Sequence, residues 1–388
     1  MTVYIVDLES VESRYTCEWK WHLPELIEGS VPIEGAEDIP KATTPGAFLN
    51  FGGTNIYKAK QIETMGRMFC DGTVKAGDHF LFTDAWHPGI ISLKYMSELL
   101  QVPVTIHSMW HAGSYDPHDF LGRLINDKHW TFDFERSIFH ASNYNYFATN
   151  FHIQMFVKTL FNTTWSANGV PDHELTTNMR TLKSKIIRTG WPMEYLKDPK
   201  KTTLFGTTDL QYSNNSLYYS GPSKLIETHT SNPKENLIVF PHRIAPEKQP
   251  KIFKDLAQSI PEYEFVMCQE KQLTKAEYHA IIRRAKIIFS ANLQETLGIS
   301  PYEGALVGAI PMVPDRLSYS EMYSADFKYN STWTLNFDNY LKHKEKLINL
   351  IKHRMDNYTS FYPSVVEEAD KLSEEYFSCT PLLQKLNT

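Results

Sequence analysis

Residues 290–311 have the sequence SANLQETLGISPYEGALVGAIP, and this stretch decides the fold. An apolar run ends near Ser290, a short loop carries Glu295, and the following residues predict a helix that begins near 298–301. Proline is favoured in the first turn of a helix because its missing N–H is not needed there. A helix N-terminus binds anions through its free N–H groups. In this stretch the outward-facing N–H groups are those of Thr296, Leu297 and Gly298.

Two glutamates lie beside this predicted anion site. Glu295, in the loop, is placed to contact a sugar attached to a bound diphosphate. Glu303, on the first turns of the helix, is placed to accept hydrogen bonds from ribose hydroxyls. Two glutamates at this spacing also occur by chance on surface helices, so solvated glutamates of an unrelated α/β protein are the alternative interpretation.

A second segment brings cations to the same place. Residues 241–248, PHRIAPEK, follow the apolar run 237–240 and lead into a predicted helix. Arg243 and Lys248 would lie at the carboxyl end of the sheet, where ligands bind in α/β folds. Fixed cations and N–H groups stabilise the negative charge that a departing diphosphate gains. The sequence has no Asp-x-Asp pair to hold a divalent metal, so we expect no metal site and assign that role to the cations.

Strands and helices alternate along most of the chain. Apolar runs that predict buried parallel strands lie at 3–8, 80–83, 104–107, 186–188, 237–240, 264–268, 286–290 and 309–313. Helix-length segments include 57–69, 90–100 and 274–285, and the last opens with a capping box of Thr274 and Glu277. After about residue 334 charged helical segments take over, while residues 199–233 show little periodicity and predict a connection between domains. This alternation predicts two doubly wound parallel-sheet α/β domains that face each other across a cleft.

Composition excludes several classes of protein. With 388 residues, 42% hydrophobic and 22% charged, the chain can bury sizeable cores, which excludes a disordered or collagen-like protein. Its formal charge of −6 provides no general attraction for nucleic acid. The cysteines lie far apart, at 17, 70, 268 and 379, so we expect no disulfide framework or zinc site and favour a reducing cytoplasm. No run approaches the ~20 apolar residues of a membrane span, so we expect a cytoplasmic protein without a leader.

The pairs Glu295/Glu303 and Arg243/Lys248 resemble those of retaining glycosyltransferases with the two-Rossmann GT-B fold, in particular the large family-4 type. Residues 187–195, IRTGWPMEY, are similar to the segment through which that family enters its second domain. The resemblance implies a GT-B fold, a nucleoside-diphosphate sugar as donor, with a UDP-sugar favoured, and no metal or other cofactor. It also implies that Glu295 contacts the donor sugar and that Glu303 binds the ribose.

The same resemblance divides the chain into three regions. Residues 1–193 are expected to form an acceptor domain and residues 194–360 the nucleotide-sugar domain. Residues 361–388 are expected to form a C-terminal helix that returns to the first domain. Closure of the two domains would exclude water, which otherwise competes with the acceptor.

A narrower resemblance concerns the acceptor. Residues 314–323, PDRLSYSEMY, together with 240–243, FPHR, resemble the tRNA-queuosine mannosyltransferases, and bacteriophage transferases that attach sugars to hydroxymethylated DNA bases are the other similar group. Both act on a hydroxyl of a modified nucleobase, so the resemblance implies a nucleic acid partner. Phage DNA in the host cytoplasm is favoured over tRNA. A transferase for lipid-linked or surface glycans and a non-enzymatic nucleotide- or sugar-binding module are the alternatives.

The first half of the chain contributes further candidates at the ends of predicted strands. By the same resemblance His111 contacts the donor sugar or its oxygen as a hydrogen-bond partner, and His87, His107 and His118 compete with it for this role. Asp84 and His87 line an acceptor pocket in one interpretation and only form a strand-to-helix turn in the other.

A basic stretch is the candidate contact for nucleic acid phosphates, and its members are Arg180, Lys183, Lys185, Arg188, Lys197, Lys200 and Lys201. The first four are the candidate acceptor-binding residues. A solvated charged face is the alternative interpretation. Residues 1–194 carry 16 Lys and Arg against 22 Asp and Glu, and this excess of acid argues against a large nucleic acid contact.

Overall fold

The structure is a computed structural model that describes residues 1–11, 14–40, 42–44, 49–165, 177–198, 200–205, 234–271 and 273–387. The chain divides into two compact units. Unit 1 comprises Met1–Pro192 together with Cys379–Thr388, and unit 2 comprises Met193–Ser378. The predicted connection 199–233 lies outside the described residues except for 200–205, which include a short 3-10 turn at Thr203–Phe205.

The described part of unit 1 contains one parallel sheet. Its strands are β1 (Val3–Val6), β2 (Val31–Ile33), β3 (His79–Phe82), β4 (Thr105–Met109), β5 (Tyr144–Phe147) and β6 (Ile186–Arg188). They lie in the order β2-β1-β3-β4-β5-β6, and Tyr4 of β1 is paired with Val31 on one side and with Phe80 on the other. The chain therefore reverses its direction of winding beside β1. Because parallel crossovers are right-handed, such a reversal places helices on both faces of the sheet.

The helices of unit 1 have local start signals in the sequence. They are α1 (Tyr15–Leu26), α2 (Phe51–Cys70), α3 (Gly89–Leu99), α4 (Phe120–Leu124), α5 (Lys128–Ala141), α6 (Asn150–Phe161) and α7 (Thr177–Lys185). The Asn50 side chain caps α2 by accepting from the Gly53 N–H at 2.8 Å, and Thr149 caps α6 in the same way. Their apolar faces cover the sheet in a core that includes Phe80, Phe82 and Phe156.

Unit 2 also contains one parallel sheet in its described part. Its strands are β7 (Glu235–Phe240), β8 (Glu264–Met267), β9 (Ala285–Phe289), β10 (Ile310–Pro314) and β11 (Lys328–Tyr329), in the order β11-β10-β9-β7-β8. The helices are α8 (Pro250–Ser259), α9 (Lys275–Arg284), α10 (Ile299–Leu306), α11 (Tyr319–Met322), α12 (Phe337–Asp356) and α13 (Tyr358–Glu375). The strand order reverses between β7 and β9. A last helix, α14 (Thr380–Leu386), belongs to unit 1, where Lys385 lies over the Tyr144 ring.

The predicted α/β class of two doubly wound parallel-sheet domains is confirmed. Each predicted strand is present to within a few residues, and the predicted capping box of Thr274 and Glu277 opens α9. The sequence analysis did not predict β2, β5 and β11. In β5 the polar Asn145 interrupts the apolar run. Its side chain is nevertheless buried, where it accepts from the Trp110 indole and donates to the Phe139 carbonyl. Among the described residues, no helix has the length and hydropathy needed to cross a membrane.

Candidate functional site

Unit 2 brings two loops together at the carboxyl edge of its sheet. One loop follows β7, carries Arg243 and ends in a 3-10 turn at Pro246–Lys248. The other follows β9 and leads into α10. Because β7 and β9 are neighbours where the strand order reverses, the loops lie side by side, at the place where α/β sheets bind ligands. The Leu293 N–H donates to the Glu247 carbonyl at 2.7 Å and joins them.

Lys248 is a buried cation in these loops, with only 6% of its surface exposed. Its Nζ donates to the Gln294 carbonyl at 2.5 Å, to the Gln294 Oε1 at 3.2 Å and to the Glu295 Oε2 at 3.3 Å. An ammonium group has three donors, and these three acceptors fix its position. The structure therefore brings Lys248 and Glu295, which the sequence placed in separate segments, into direct contact.

One carboxylate oxygen of Glu295 is anchored by the protein, and the other is open to a ligand. Its Oε2 accepts from Lys248 and also from the Asn292 Nδ2 at 3.2 Å, and Asn292 is held in turn by the Tyr319 hydroxyl at 3.1 Å. Within the ranges that the structure describes, Oε1 has no hydrogen-bond partner, and the side chain is 20% exposed. A carboxylate with one oxygen anchored and the other open can accept a hydroxyl group in a defined direction.

Arg243 is paired as well. Its Nη2 lies 2.6 Å from the Glu247 Oε1, and its Nε donates to the same oxygen at 3.1 Å. Arg243 and Lys248 are thus matched by the carboxylates of Glu247 and Glu295, and the four side chains carry no net charge together. Burial, with help from the nearby Lys248 and Arg243, holds the pKa of His242 well below its usual range, so this ring is neutral.

The positive end of the site comes from α10, which begins where the sequence predicts. Gly298 is its N-cap with φ +83°, and a Cβ there would lie 2.6 Å from the Tyr319 Cε1. Gly304 lets the helix lie close to β9, since its Cβ would lie 2.2 Å from the Ile288 Cγ1. Helix N-termini carry about half a positive charge. Within the described chain, the N–H groups of Leu297 and Gly298, which follow Thr296, donate to no other group.

Glu303 lies on α10 but is mostly enclosed by protein. Its Oε2 accepts from the Tyr278 hydroxyl at 2.7 Å, and the His279 Nε2 lies 3.6 Å from its Oε1. Burial and the charge of Glu303 raise the pKa of Tyr278 well above its usual range and that of the Cys268 thiol to about 12. The sequence analysis missed Tyr278 and His279, since their helix shows only a start signal.

Tyr278→Phe is expected to lower the free energy of unfolding by about 1.5–3 kcal/mol, because a hydrogen bond to a buried carboxylate is lost. Urea unfolding of the purified protein measures this change. Tyr95→Phe is the matched control, since Tyr95 is exposed on α3 and its loss of a hydroxyl leaves no buried group unpaired. Equal stability of the two variants would show that the Tyr278 bond contributes nothing.

Arg316 holds the loop that carries Glu295, and the sequence analysis quoted it without assigning a role. Its guanidinium donates to the carbonyls of Asn292 and Ala291, both at 2.7 Å, and to the Ser331 carbonyl at 2.8 Å. Burial lowers the pKa of Arg316, but a guanidinium stays charged. Its position two residues after the end of β10, at the same edge of the sheet, is the signal that could have identified it.

In unit 1, His111 is a half-buried ring whose two nitrogens are both engaged. Its Nε2 donates to the Thr83 carbonyl at 2.6 Å, so its Nδ1 carries no proton and accepts from the Tyr15 hydroxyl at 2.8 Å. Burial lowers the pKa of His111, which keeps the ring neutral. The rings of Trp19 and Trp191 pack against it, with centroids 5.7 and 5.1 Å away. The structure thus presents His111 as an oriented neutral ring.

Asp84 and His87 follow β3 and lie near His111, but they have different surroundings. Asp84 pairs with the buried Lys58 at 3.0 Å, and although burial opposes it, the charge of Lys58 lowers the pKa of this carboxyl. His87 is buried, with Nδ1 accepting from the Gly89 N–H and Nε2 bonded to the Gln61 Oε1, both at 2.9 Å. Burial lowers the pKa of His87 to about 3.

A buried carboxylate that the sequence analysis missed lies in the same region of unit 1. Asp7, directly after β1, accepts from the Tyr57 hydroxyl at 2.6 Å and from the Gln61 Nε2 at 3.0 Å, and it pairs with Lys20 at 3.3 Å. Burial raises the pKa of Asp7.

The basic residues of the predicted phosphate contact lie on and beside α7. Arg180 is exposed, whereas Lys183, Lys185 and Arg188 are half-buried. Lys185 donates to the carbonyls of His140 and Ser142, both at 2.7 Å, and so closes the end of α5. Burial, with the nearby Lys94, lowers the pKa of Lys185.

No metal cluster is visible in the part of the chain that the structure describes, because no three His, Cys, Asp or Glu side chains there lie close enough to hold an ion.

Comparison with solved structures identifies the fold. The chain resembles sucrose-phosphate synthase of Thermosynechococcus elongatus, with a TM-score of 0.58, 8% identity, and coverage of 100% of this chain and 97% of that one. It also resembles the catalytic domain of starch synthase IV of Arabidopsis thaliana bound to ADP and acarbose, with a TM-score of 0.53, 11% identity, and coverage of 100% of this chain and 97% of that one. The chain resembles WaaG as well, a glycosyltransferase of lipopolysaccharide biosynthesis, with a TM-score of 0.52, 11% identity, and coverage of 99% of this chain and 98% of that one. The predicted GT-B fold is therefore confirmed.

Comparison of sequences finds a distant relative. No protein-family model matches this chain. The tRNA-queuosine alpha-mannosyltransferase of Drosophila melanogaster is 28% identical over 123 residues, and the match covers 24% of this chain. The chain spans about a third of the length of that relative (32%).

Proposed function

We propose that this chain is a glycosyltransferase that takes its sugar from a nucleoside diphosphate, with a UDP-sugar favoured. The observation that carries the proposal is the contact of Lys248 with Glu295 beside the N-terminus of α10. Such a donor combines a polyol, which hydrogen-bonds to a carboxylate, with a diphosphate, which binds cations and backbone N–H groups. A fold by itself does not define an activity, so the proposal depends on these side chains.

Each group of the unit 2 site has a role in this proposal. The open Oε1 of Glu295 accepts a hydroxyl of the donor sugar, and the N–H groups of 296–298 bind the diphosphate. Lys248 stabilises the charge that develops on the leaving phosphate, because a fixed cation in a buried site acts strongly on such charge. When the donor binds, the Arg243 guanidinium releases the Glu247 carboxylate and donates to a phosphate oxygen instead. The Glu303 carboxylate accepts a hydrogen bond from a ribose hydroxyl.

We propose further that the sugar is transferred with retention of configuration. The bond between the anomeric carbon and the phosphate oxygen breaks, and the bond to the acceptor oxygen forms on the same face. The acceptor proton passes to the departing phosphate oxygen, so no side chain acts as a base. The neutral His111 fits this scheme as a hydrogen-bond contact of the sugar, which would replace the Tyr15 hydroxyl at its Nδ1.

The proposed acceptor is a hydroxyl of a modified nucleobase, bound by unit 1 near Asp84 and by the basic residues of α7 and β6. The sequence analysis favoured DNA, whereas the curated relative acts on queuosine in tRNA, and this relative now makes tRNA the first candidate. Arg180, which is exposed, is the first of the proposed phosphate contacts, and the half-buried Lys183, Lys185 and Arg188 are the others. We propose a cytoplasmic location, as the sequence analysis expected.

Mass spectrometry of nucleosides tests this proposal. The protein is incubated with UDP- and GDP-sugars and with tRNA or DNA that contains hydroxymethylated bases, and we expect one added sugar on the queuosine nucleoside. Lys248→Ala is the matched inactive protein. A sugar on the DNA base instead would change the proposed acceptor to DNA and leave the proposed transferase activity intact. If nucleotide is released only when a glycan acceptor is supplied, the proposal of a nucleic acid acceptor is wrong. If no donor is consumed with any acceptor, the proposed glycosyltransferase activity is contradicted.

A further inference from the structure

Unit 1 contains a buried carboxylate that the proposed reaction does not use. Glu135 lies on α5 and is fully buried. Its Oε1 accepts from the Ser114 N–H at 2.6 Å and from the Trp86 Nε1 at 2.9 Å, and its Oε2 accepts from the Ser114 Oγ at 2.8 Å. Within the described residues these are its hydrogen-bond partners, and no lysine or arginine is among them.

The three donors come from two different loops. Trp86 belongs to the loop after β3, which also carries Asp84, and Ser114 belongs to the loop after β4, which also carries His111. The loop after β3 also contacts the end of β4 through the Ala85 N–H on the Met109 carbonyl at 2.8 Å, and the loop after β4 through the His111 Nε2 on the Thr83 carbonyl at 2.6 Å. Glu135 therefore reaches from the helix behind them to both loops at once.

The local backbone is shaped for this carboxylate. A Cβ on Gly113 would lie 2.4 Å from the Glu135 Oε1 and 2.3 Å from the Tyr115 Cε1. Only a glycine at this position lets the chain pass so close to the carboxylate, so the loop after β4 and Glu135 are built against each other.

We propose that Glu135 is a positioning residue that ties the loop after β3 to the loop after β4, and that its gain or loss of a proton changes the strength of this tie. When Glu135 is ionised, all three bonds are charge-assisted, and such bonds are roughly twice as strong as neutral ones. When the Glu135 Oε2 is protonated, it donates to the Ser114 Oγ. The Ser114 hydroxyl then changes from donor to acceptor, because a hydroxyl can do both. The tie then persists in a weaker, neutral form.

The surroundings place this change near neutral pH. Burial raises the pKa of Glu135 to about 7, against the lowering effect of the Ser114 and Trp86 bonds, and the charge of Asp119 raises it further. The other titratable groups around it are Asp116 and Tyr115 on the loop after β4, Asp84 with Lys58, and the neutral His152 on α6. Those of α3, namely Lys94, Tyr95 and Glu98, lie on its solvent side.

The sign of the effect on stability follows from this shift. The folded pKa lies above the ordinary value of 4.5, so the unfolded chain releases this proton at lower pH than the folded chain. The stabilising contribution of protonated Glu135 is complete below the ordinary value and is lost as the pH rises to about 7. Ionisation thus strengthens the tie between the loops while it lowers the global stability of the chain.

The Trp86 indole reports the state of Glu135 directly. In ¹⁵N-labelled protein, its Nε1–H resonance, assigned with Trp86→Phe, is expected to move between about pH 5.5 and about pH 8.5 with a midpoint near the pKa of Glu135. In Glu135→Gln the same resonance is expected to stay constant, since glutamine keeps the shape but has no proton to lose. The measurement needs no substrate, so its outcome is independent of the proposed reaction.

Ser114→Ala provides a second variant in case Glu135→Gln fails to fold. It removes the hydroxyl that favours ionised Glu135 but keeps the N–H bond, so the midpoint is expected to shift upward. A Trp86 resonance that stays constant in the original protein, or that titrates equally in Glu135→Gln, overturns the proposal. An unchanged midpoint in Ser114→Ala does the same.

Discussion

Lys248→Ala is expected to lower turnover by about 10²–10³-fold, the usual effect of removing one group that stabilises charge in a transition state. The Nζ of Lys248 is held by Gln294 and Glu295 within 3.3 Å, so the charge that is removed has a fixed position in the site. The loss should appear in kcat, because the charge on the leaving phosphate develops only as the bond to the sugar breaks. Steady-state kinetics of sugar transfer, or of donor hydrolysis, measure it.

The control for this variant is Lys254→Ala on α8. Lys254 is exposed and pairs with Glu270 at 2.8 Å, and such surface pairs contribute little. It should keep the original turnover. The thermal transition of Lys248→Ala is to be compared with that of the original protein, so that unfolding is not mistaken for lost chemistry. A folded Lys248→Ala protein with full activity would remove this residue from the mechanism and leave Arg243 and the N-terminus of α10 to stabilise the leaving group.

Gly298→Ala is expected to lower the free energy of unfolding by about 2–5 kcal/mol. An L-residue at φ +83° costs about 1–2 kcal/mol, and the new Cβ would lie 2.6 Å from a Tyr319 ring carbon, where overpacking costs about 1–3 kcal/mol more. Any relaxation moves Tyr319 and with it Asn292, which anchors Glu295. Because Gly298 sets the position of the N–H groups proposed to bind the diphosphate, binding of UDP should weaken together with stability.

The matched control is Gly66→Ala, in the middle of α2. The nearest atom to a Cβ there is the Met96 Sδ at 4.0 Å, and its backbone is helical. This alanine is expected to stabilise the chain by about 0.5–1 kcal/mol. Urea unfolding and calorimetric titration with UDP measure both variants. A Gly298→Ala protein as stable as Gly66→Ala would show that α10 can begin without its left-handed glycine.

The sequence was most informative where a pattern is local. The apolar run before Ser290, the glycine at 298 and the proline at 301 predicted β9, the loop and the start of α10, because each depends on neighbouring residues along the chain. It failed at β5, where the polar Asn145 accepts from the indole of Trp110, which lies 35 residues away along the chain. A single sequence contains no signal for such a partner.

The roles of charged residues were much harder to predict. Arg243 and Lys248 were predicted as two cations that give the site a positive charge, but the fold sets each of them against a carboxylate. His111 was predicted as a contact of the sugar, and the fold determines that it is neutral and that both of its nitrogens are engaged. These properties depend on distances of a few ångströms between segments that composition and spacing do not specify.

By itself, the sequence determined the alternation of strands and helices, the two parallel sheets and the loops at their carboxyl edges, since periodicity and turn chemistry act over a few residues. Only the tertiary structure decided which groups carry charge. It placed Lys248 against Glu295, enclosed Glu303 behind Tyr278, and buried Glu135 between two loops. The physical reason is that burial and charge pairing arise from residues distant in the chain, and they set the protonation state of each group more strongly than its chemical identity does.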